Sequence, residues 1–348
     1  MSITTASWTS FLDPRLTLKD IIIPMSHDSA TASLSDRTFS RREFQKSESN
    51  KITQTALATV ASLKFSRKII MDMAITQNPV PGISFITEQM NLGIRAFDLR
   101  IYCGEDDENW IKYQHGAVVW DTNVLETFYH VANNFRFANE IMILRLSHFS
   151  GEESRNAGLI MRFLDKVQSI FNDKLCMRNM RDQSSFDLRT LAELRSTPII
   201  FIIDVKLNST ELATMRSTYK WVHTSNSCYD DGYSLVKKLN VGMDADEVIN
   251  YCYNSAKVPW TPKLYQTQMH LQMEQPEFKD IIKLNLPNIR EETNKSGLNN
   301  NLLCVLDDIC RRNQAREPGK RAINIVSFDF FTPQLIEKII NINMNPNF

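Results

Sequence analysis

Ionisable and hydroxyl side chains follow a short apolar stretch near the start of the chain. Residues 21–25 have the composition of a buried strand, and His27 and Asp28 come directly after it with Ser26 and Ser29 beside them. In α/β folds the chemistry lies at the carboxyl ends of buried strands. A strand that ends in a polar turn capped by Asp28 would have the same composition. The rest of the chain has to decide between these two interpretations.

The same order, apolar residues first and an ionisable group last, recurs on other predicted strands when alternate positions are compared. On the predicted strand 140–149, one such face carries Leu144, Leu146 and His148. The ionisable groups that end these faces are Asp98 and Arg100, His115, His148, Asp204 and Lys206, and Asp329. Because carboxyl ends of parallel strands meet at one end of a barrel, we expect these groups and His27 to surround one pocket.

Such a set of groups suits acid–base chemistry on a phosphate ester. Two histidines, one of them oriented by a carboxylate, can act as general base and general acid on either side of a reacting centre. An arginine between them donates to two phosphate oxygens and stabilises developing negative charge. Together they indicate cleavage of a phosphodiester by an internal hydroxyl group, a reaction that needs an acid, a base and a cation but no metal.

Apolar and amphipathic segments alternate along the chain in the manner of a (β/α) barrel. Strands are predicted near 21–25, 94–103, 110–115, 140–149, 198–205, 220–223, 263–270 and 322–330. Helices are predicted over 52–75, 83–92, 123–135, 154–171, 234–238, 244–254 and 301–312, and from 332 onwards. We therefore expect residues 1–348 to form one α/β domain, a TIM-like (β/α)8 barrel that can be irregular or incompletely closed. Residues 35–82 would form a helical insertion or lid between its first two strands.

Composition excludes several classes of function. The chain has 40 Lys+Arg and 40 Asp+Glu among 348 residues, so no net field favours nucleic acid as a partner. The N-terminus has no signal-peptide pattern, and no apolar run approaches the roughly 18 residues of a membrane span. The 6 cysteines are scattered without a Cys-x-x-Cys pair, as in proteins with reduced thiols. We expect a cytoplasmic protein.

Several motifs resemble the X-domain family of phosphatidylinositol-specific phospholipases C, particularly its short single-domain members. Residues 23–31, Ile-Pro-Met-Ser-His-Asp-Ser-Ala-Thr, are similar to the family's Ile-Pro-Gly-Thr-His-Asp-Ser-Gly-Thr. Further matches are Trp8 and Leu12, the stretch Gln89 to Arg100, His115-Gly116, the stretch Glu140 to Phe149 and Phe328-Asp329-Phe330. Met25 and Ala30 stand where the family has glycine, and a turn that needs positive φ would resist either residue.

The resemblance implies an enzyme that cleaves a phosphoinositide to diacylglycerol and a cyclic inositol phosphate. His27 would be the general base that deprotonates the inositol 2-hydroxyl, with Asp329 orienting its ring. His115 would be the general acid, supported by Asp28. Arg100 would bind the phosphate; metal-dependent members of the family carry an acidic calcium ligand at this position, so the resemblance implies no metal cofactor.

The resemblance also implies a head-group pocket lined by Asp204, Lys206 and His148. Asp98 shares a strand face with Arg100, so we expect it to pair with that arginine in a supporting structural role. The implied partners are a phosphoinositide substrate and, transiently, a membrane surface, with peripheral association of a cytoplasmic protein. The sequence leaves the lipid and the oligomeric state open.

Two alternatives remain at this point. The first is a metal-dependent phosphodiesterase on the same barrel that acts on glycerophosphodiesters or lysolipids. It needs several carboxylates around the first histidine, and the sequence offers Asp28 and Asp98 there. The second is a catalytically inactive scaffold that binds a lipid head group.

Overall fold

Buried strands alternate with helices through most of the chain, as the sequence pattern predicts. The computed structural model describes residues 5–31, 37–39, 82–104, 110–115, 118–134, 139–178, 189–225, 229–231, 245–255, 263–269, 293–315 and 323–345. The strands in this part of the chain are β1 Ile23–Ser26, β2 Arg37–Phe39, β3 Ala96–Cys103, β4 Ile111–His115, β5 Val118–Asn123, β6 Met142–Ser150, β7 Ile199–Ile203, β8 Val222–Thr224, β9 Tyr229–Asp231, β10 Leu264–Gln268 and β11 Ile325–Phe328.

The helices lie between and after these strands. They are α1 Phe85–Asn91, α2 Val124–Asn134, α3 Ala157–Phe171, α4 Leu191–Ser196, α5 Ser209–Thr218, α6 Ala245–Ser255, α7 Leu298–Gln314 and α8 Pro333–Met344, with short 3-10 helices at Thr5–Phe11, Glu152–Arg155 and Asn172–Lys174. In the described ranges, no helix is both long and apolar enough to cross a membrane.

Eight parallel strands form a curled sheet in the order β9-β10-β11-β1-β3-β6-β7-β8. β1 lies in the middle, with Ile23 opposite Ile325 of β11 and Met25 opposite Ala96 of β3. Within the described residues, no pairing joins β8 to β9, so the sheet is a barrel that is open on one side. The prediction of an α/β, TIM-like and incompletely closed barrel is confirmed.

An antiparallel extension departs from the prediction. The second half of β3 continues beyond the barrel and pairs with β4, β4 pairs with β5, and β5 pairs with β2. The segment predicted as a barrel strand over 110–115 therefore belongs to this extension, and β9 provides the eighth parallel strand. Residues 37–39 form an edge strand rather than part of a helical insertion; the predicted helices 52–75 and 234–238 lie outside the described residues.

The helices close the outer side of the sheet with aromatic side chains. Phe201 of β7 packs against Phe163 of α3 and Phe128 of α2, with ring centroids 6.5 and 6.4 Å away. All five residues of β7 are buried, as a central parallel strand requires. α3 begins where the Asn156 side chain accepts a hydrogen bond from the Leu159 backbone, a standard N-cap.

A buried ion pair ties the N-terminal segment to the amino ends of the strands. Arg95, which precedes β3, and Glu140, which precedes β6, lie 2.7 Å apart at the closest and are both buried. Glu140 also accepts hydrogen bonds from the Thr9 hydroxyl at 2.5 Å and the Ser10 amide at 2.9 Å. This pair closes the end of the barrel opposite the predicted pocket. Loss of either residue would leave the other charge buried without its partner, which is costly.

Candidate active site

A tight turn after β1 carries the first histidine. The His27 amide continues the strand by donating to the Phe328 carbonyl at 3.1 Å. The next residue, Asp28, has a left-handed backbone with φ 44, which aspartate tolerates better than most residues. Neither Met25 nor Ala30 is among the described residues with positive φ. The two glycines of the family motif are therefore not needed for the conformation of this turn.

His27 is oriented by the carboxylate that follows β11. Its Nδ1 lies 2.9 Å from Oδ1 of Asp329. The Asp329 side chain is 2% exposed and that of His27 is 12% exposed, so the pair is buried except for one edge of the ring. The pairing of β1 with β11 in register brings these residues together across 302 positions of sequence.

Arg100 contacts the first histidine directly and is linked to the second through Asp28. Its Nη2 is 3.1 Å from Nε2 of His27, and its Nε contacts Oδ1 of Asp28 directly. The other oxygen of Asp28, Oδ2, lies 3.3 Å from Nε2 of His115. Asp28 thus bridges Arg100 and His115, and the arginine and both rings keep an exposed edge that a substrate can reach. The five residues that the resemblance implies to be catalytic form one cluster.

The charges of the cluster set the protonation of its members. Burial by itself disfavours a charged imidazole, but the carboxylates of Asp28 and Asp329 outweigh this effect and raise the pKa of His27 to about 9. Burial likewise opposes the ionisation of Asp28, yet Arg100 and the two histidines hold its pKa well below the usual range. The contact between Arg100 and His27 is a hydrogen bond only when the ring is neutral, so protonation of His27 requires the arginine to turn away.

Asp98 has different main partners from the one predicted. Its Oδ1 accepts hydrogen bonds from Nη1 of Arg145 at 3.1 Å and from the Ser147 hydroxyl at 3.0 Å. The Arg100 Nε lies farther away, at 4.0 Å from Oδ2. Burial raises the pKa of Asp98, but the charges of Arg145, Arg100 and His27 together outweigh it and the pKa is lowered, so the carboxylate is ionised. The expected pair with Arg100 is secondary to the pair with Arg145, which sequence reasoning missed.

The strand face predicted for β6 was wrong. Parallel pairing sets Asp98 opposite Arg145 and Arg100 opposite Ser147, and paired residues point to the same side of the sheet. The site face of β6 therefore carries Arg145 and Ser147 rather than Leu144 and Leu146. A charged residue inside the apolar run 141–146 was the signal that could have identified this face.

His148 still lies at the edge of the cluster, although the rest of the face predicted for β6 was wrong. Its backbone is left-handed, with φ 52, which breaks the alternation of β6. Its Nδ1 is 2.9 Å from the Ser147 hydroxyl, and the outer side of the residue is exposed. Partial desolvation of the ring and the charge of Arg100 lower the pKa of His148 to about 4. The ring is therefore neutral at physiological pH.

Asp204 and Lys206 follow the end of β7 and have exposed side chains. The Asp204 amide donates to the Leu146 carbonyl at 2.9 Å, which places this segment beside the end of β6. Among the described residues, no hydrogen bond or ion pair joins either side chain to the cluster around Arg100. Their role in a head-group pocket stays a prediction.

The residues present do not suit a divalent metal. Ligand atoms of His27, Asp28 and Asp98 lie within 4.8 Å of one another, as a metal site would require. The Arg100 guanidinium, however, contacts Asp28 and lies 4.0 Å from Asp98, so it neutralises the same carboxylates. A divalent cation bound there would be repelled by this guanidinium at close range.

The curated proteins that match this chain are PI-PLC X domain-containing proteins 1 and 2. The human PI-PLC X domain-containing protein 2 is 30% identical over 205 residues, which cover 56% of this chain and 59% of that protein. The human PI-PLC X domain-containing protein 1 is 28% identical over 178 residues, 49% of this chain and 50% of that protein. The matches thus span little more than half the length of these relatives. No protein-family model matches the chain.

Solved structures match over nearly the whole chain. The phosphatidylinositol-specific phospholipase C of Listeria monocytogenes superposes with a TM-score of 0.57 at 17% identity, covering 97% of this chain and 98% of that one. The Staphylococcus aureus enzyme of the same name gives a TM-score of 0.58 at 14% identity, covering 96% and 97%. At this identity the likeness shows the fold alone. Together with the curated relatives, it confirms the resemblance of this chain to the X-domain family of phosphatidylinositol-specific phospholipases C.

Proposed function

We propose that the protein is a phosphatidylinositol-specific phospholipase C-like phosphodiesterase that works without a metal. It cleaves the glycerol–phosphate ester of a phosphoinositide by acid–base catalysis between two histidines. The observation that carries this proposal is the position of the Arg100 guanidinium, in contact with Asp28 and 3.1 Å from His27. A cation beside one histidine, joined through Asp28 to the other, can bind the phosphate of a phosphodiester next to both proton-transfer groups.

The reaction follows from the contacts of each ring. His27 keeps its Nδ1–H on Asp329, so Nε2 accepts the proton of the inositol 2-hydroxyl. The resulting oxygen nucleophile attacks phosphorus, and the bond to the glycerol oxygen breaks. His115, held by Asp28, donates a proton to that oxygen, which leaves as diacylglycerol. The water-soluble product is a cyclic inositol phosphate.

Arg100 has to change partners during this reaction. When the ring of His27 is neutral, Arg100 donates to its Nε2, the atom that must accept the proton. A phosphate carries a full negative charge and two oxygens in fork geometry, so it competes for the guanidinium and frees the base. Substrate binding would thereby switch His27 from a partner of Arg100 to a general base.

The proposed reaction takes place at a membrane surface. A lipid substrate requires transient contact with a membrane surface, so we propose a cytoplasmic protein with peripheral membrane association. Asp204, Lys206 and His148 would line the head-group side of the pocket. Asp204 and Lys206 follow β7 and His148 lies near the end of β6, at the same end of the sheet as Arg100.

A panel of substrates tests the proposal. Purified protein would be given phosphatidylinositol, its phosphorylated forms, other phospholipids and glycerophosphodiesters, and the soluble product would be read by phosphorus NMR. We expect a cyclic inositol phosphate from an inositol lipid and none from choline or ethanolamine lipids. His115→Ala should abolish it, whereas His130→Ala, on α2 beside Asn134, should not. Equal rates for both variants would contradict the assigned role of His115.

A second candidate function follows from the ligand atoms of His27, Asp28 and Asp98, which lie within 4.8 Å of one another. If Arg100 swings out, these atoms could hold a divalent ion for a metal-dependent phosphodiesterase acting on glycerophosphodiesters or lysolipids. Activity that appears only with added metal, and that survives Arg100→Ala, would favour this candidate. Binding of head groups without turnover of any substrate would indicate a scaffold protein instead.

A further inference from the structure

Three arginines gather at the end of the barrel opposite the catalytic cluster. Arg178 follows the 3-10 helix Asn172–Lys174, Arg189 precedes α4, and Arg216 lies in the last turn of α5. The Arg178 amide donates to the Lys220 carbonyl, two residues before β8, at 2.8 Å. The three side chains, called the arginine cluster below, therefore come from separate segments of the chain and meet close to the start of β8.

Two buried side chains lie among these arginines. Cys176 and His223 are 0% and 2% exposed, and Nε2 of His223 lies 3.3 Å from the Cys176 carbonyl. Nη1 of Arg189 donates to Sγ of Cys176 at 3.2 Å, and Nη2 of Arg178 donates to the Arg216 carbonyl. Each of the three arginines is only half-buried, so solvent reaches the arginine cluster.

The charge of this region is positive. Burial lowers the pKa of His223 to about 3, and the charges of all three arginines act in the same direction, against the hydrogen bond to Cys176. The ring is therefore neutral at physiological pH. Burial and the charge of Arg216 also lower the pKa of Arg178, but a guanidinium stays protonated at any physiological pH. Like charges gathered around one ring destabilise the fold unless an anion lies among them.

In the described part of the chain, no carboxylate forms an ion pair with Arg178 or Arg189. The Nε of Arg178 is buried and has no hydrogen-bond partner there. Glu193 senses the charge of Arg189, but its Oε2 already accepts from the Thr190 amide at 2.8 Å and from the Thr190 hydroxyl at 2.9 Å. Because the chain has 40 Lys+Arg and 40 Asp+Glu, an excess of basic residues does not explain the arginine cluster.

We infer that Arg178, Arg189 and Arg216 bind a phosphate-type oxyanion, either free phosphate or a phosphate monoester. A guanidinium offers several N–H donors in one plane, and this fork matches the oxygens of such an anion. A dianion would also neutralise most of the positive charge that the three side chains bring together. The inference goes beyond the proposed function and does not depend on it, because the arginine cluster shares no residue with the catalytic cluster.

Calorimetric titration tests the inference. The titrations use Arg100→Ala, because this change removes the cation of the catalytic cluster and leaves its carboxylates, which repel an anion. The ligands are inorganic phosphate and glycerol 3-phosphate, added at constant ionic strength with chloride as the balancing ion. We expect one binding event, which Arg189→Gln weakens roughly 10- to 100-fold. Arg15→Gln is the matched control and should leave the affinity unchanged, because Arg15 is exposed and pairs with Asp13.

Thermal unfolding separates an anion site from a purely structural role. Without phosphate, Arg189→Gln relieves repulsion within the arginine cluster, so its Tm should equal or exceed that of Arg100→Ala alone. Added phosphate should raise the Tm of Arg100→Ala, and Arg189→Gln should remove most of this rise. A structural role predicts a lower Tm without phosphate and an undiminished rise, and that result would overturn the inference.

The NMR signals of the His223 ring test where the ion binds without any change to the arginine cluster. In Arg100→Ala, phosphate should shift these signals and leave those of His130, on α2, in place. Binding of both ligands supports a site for phosphate monoesters, and binding of inorganic phosphate alone supports a site for the free ion. Absence of phosphate binding, equal affinity with and without Arg189→Gln, or unchanged His223 signals contradicts the inference.

Discussion

Removing the charge of Asp329 should shift the pH dependence of kcat/KM. Asp28 and Asp329 together raise the pKa of His27 from an ordinary 6.5 to about 9, against burial and the charge of Arg100. Asp329→Asn keeps the size of the side chain but removes one of the two carboxylates, so the pKa of His27 should fall by about 1 to 2 pH units. Only the neutral ring can act as a base. The rise of kcat/KM with pH should therefore have its midpoint near pH 9 in the wild type and move to lower pH in the variant.

The rate at the plateau should fall at the same time. The amide can still bind Nδ1 but no longer stabilises the imidazolium that forms when His27 takes a proton, and such changes cost roughly 10²- to 10⁴-fold in kcat. The assay is cleavage of phosphatidylinositol in mixed micelles across pH, together with an NMR titration of the His27 ring. Asp121→Asn is the control, because that exposed carboxylate pairs with Lys112 on β4. An unchanged His27 pKa in Asp329→Asn would refute the assigned electrostatics.

Three further predictions concern the cation and the frame around the site. Arg100→Lys keeps the charge but loses the fork that spans two phosphate oxygens, so kcat/KM for phosphatidylinositol should fall by roughly 10²-fold; an unchanged value would contradict bidentate binding. Glu140→Gln leaves Arg95 buried without its counter-charge, and the free energy of unfolding measured in urea should fall by about 3 kcal/mol or more. Gly151→Ala should lower Tm more than Gly297→Ala, since both have positive φ but only at 151 would a Cβ collide with the backbone of β3.

Much of the frame of the site could be predicted from the sequence. Apolar runs end in ionisable groups on β1, β3 and β11, and their parallel pairing brings His27, Arg100 and Asp329 together. The same pattern predicts His115 and Asp28, and the family resemblance added their roles as general acid and its supporting carboxylate. Asp28 directly follows His27 in the sequence, and the turn after β1 places its Oδ2 3.7 Å from Nδ1 of that ring.

The apolar pattern of each separate segment does not predict the antiparallel extension. Residues 111–115 and 118–123 are separated by two positions, of which Gly116 is one, and this spacing is typical of a hairpin. The strand β3 is long enough, at 8 residues, to pair inside the barrel with its first half and outside it with its second. Pairing of this kind depends on the length of the strand and on the position along it at which the barrel ends. The apolar pattern of a single segment does not contain this information.

The error on β6 has a different cause. Strict alternation back from His148 predicts the face of Leu144 and Leu146, but the left-handed backbone of His148 breaks the alternation. Counting from the buried charge of Arg145 would have identified the correct face, because a charge inside an apolar strand needs a partner across the sheet. The bond between Asp98 and Arg145 depends on the register of β3 and β6. The sequence of either strand alone does not reveal that register.

The most direct test of the account is cleavage of phosphatidylinositol in the presence of a metal chelator. The central claim is that Arg100 supplies the cation between His27 and His115. We expect release of cyclic inositol phosphate at the same rate with and without EDTA, no stimulation by calcium, and loss of activity in Arg100→Ala. Activity that EDTA abolishes and calcium restores would contradict the claim.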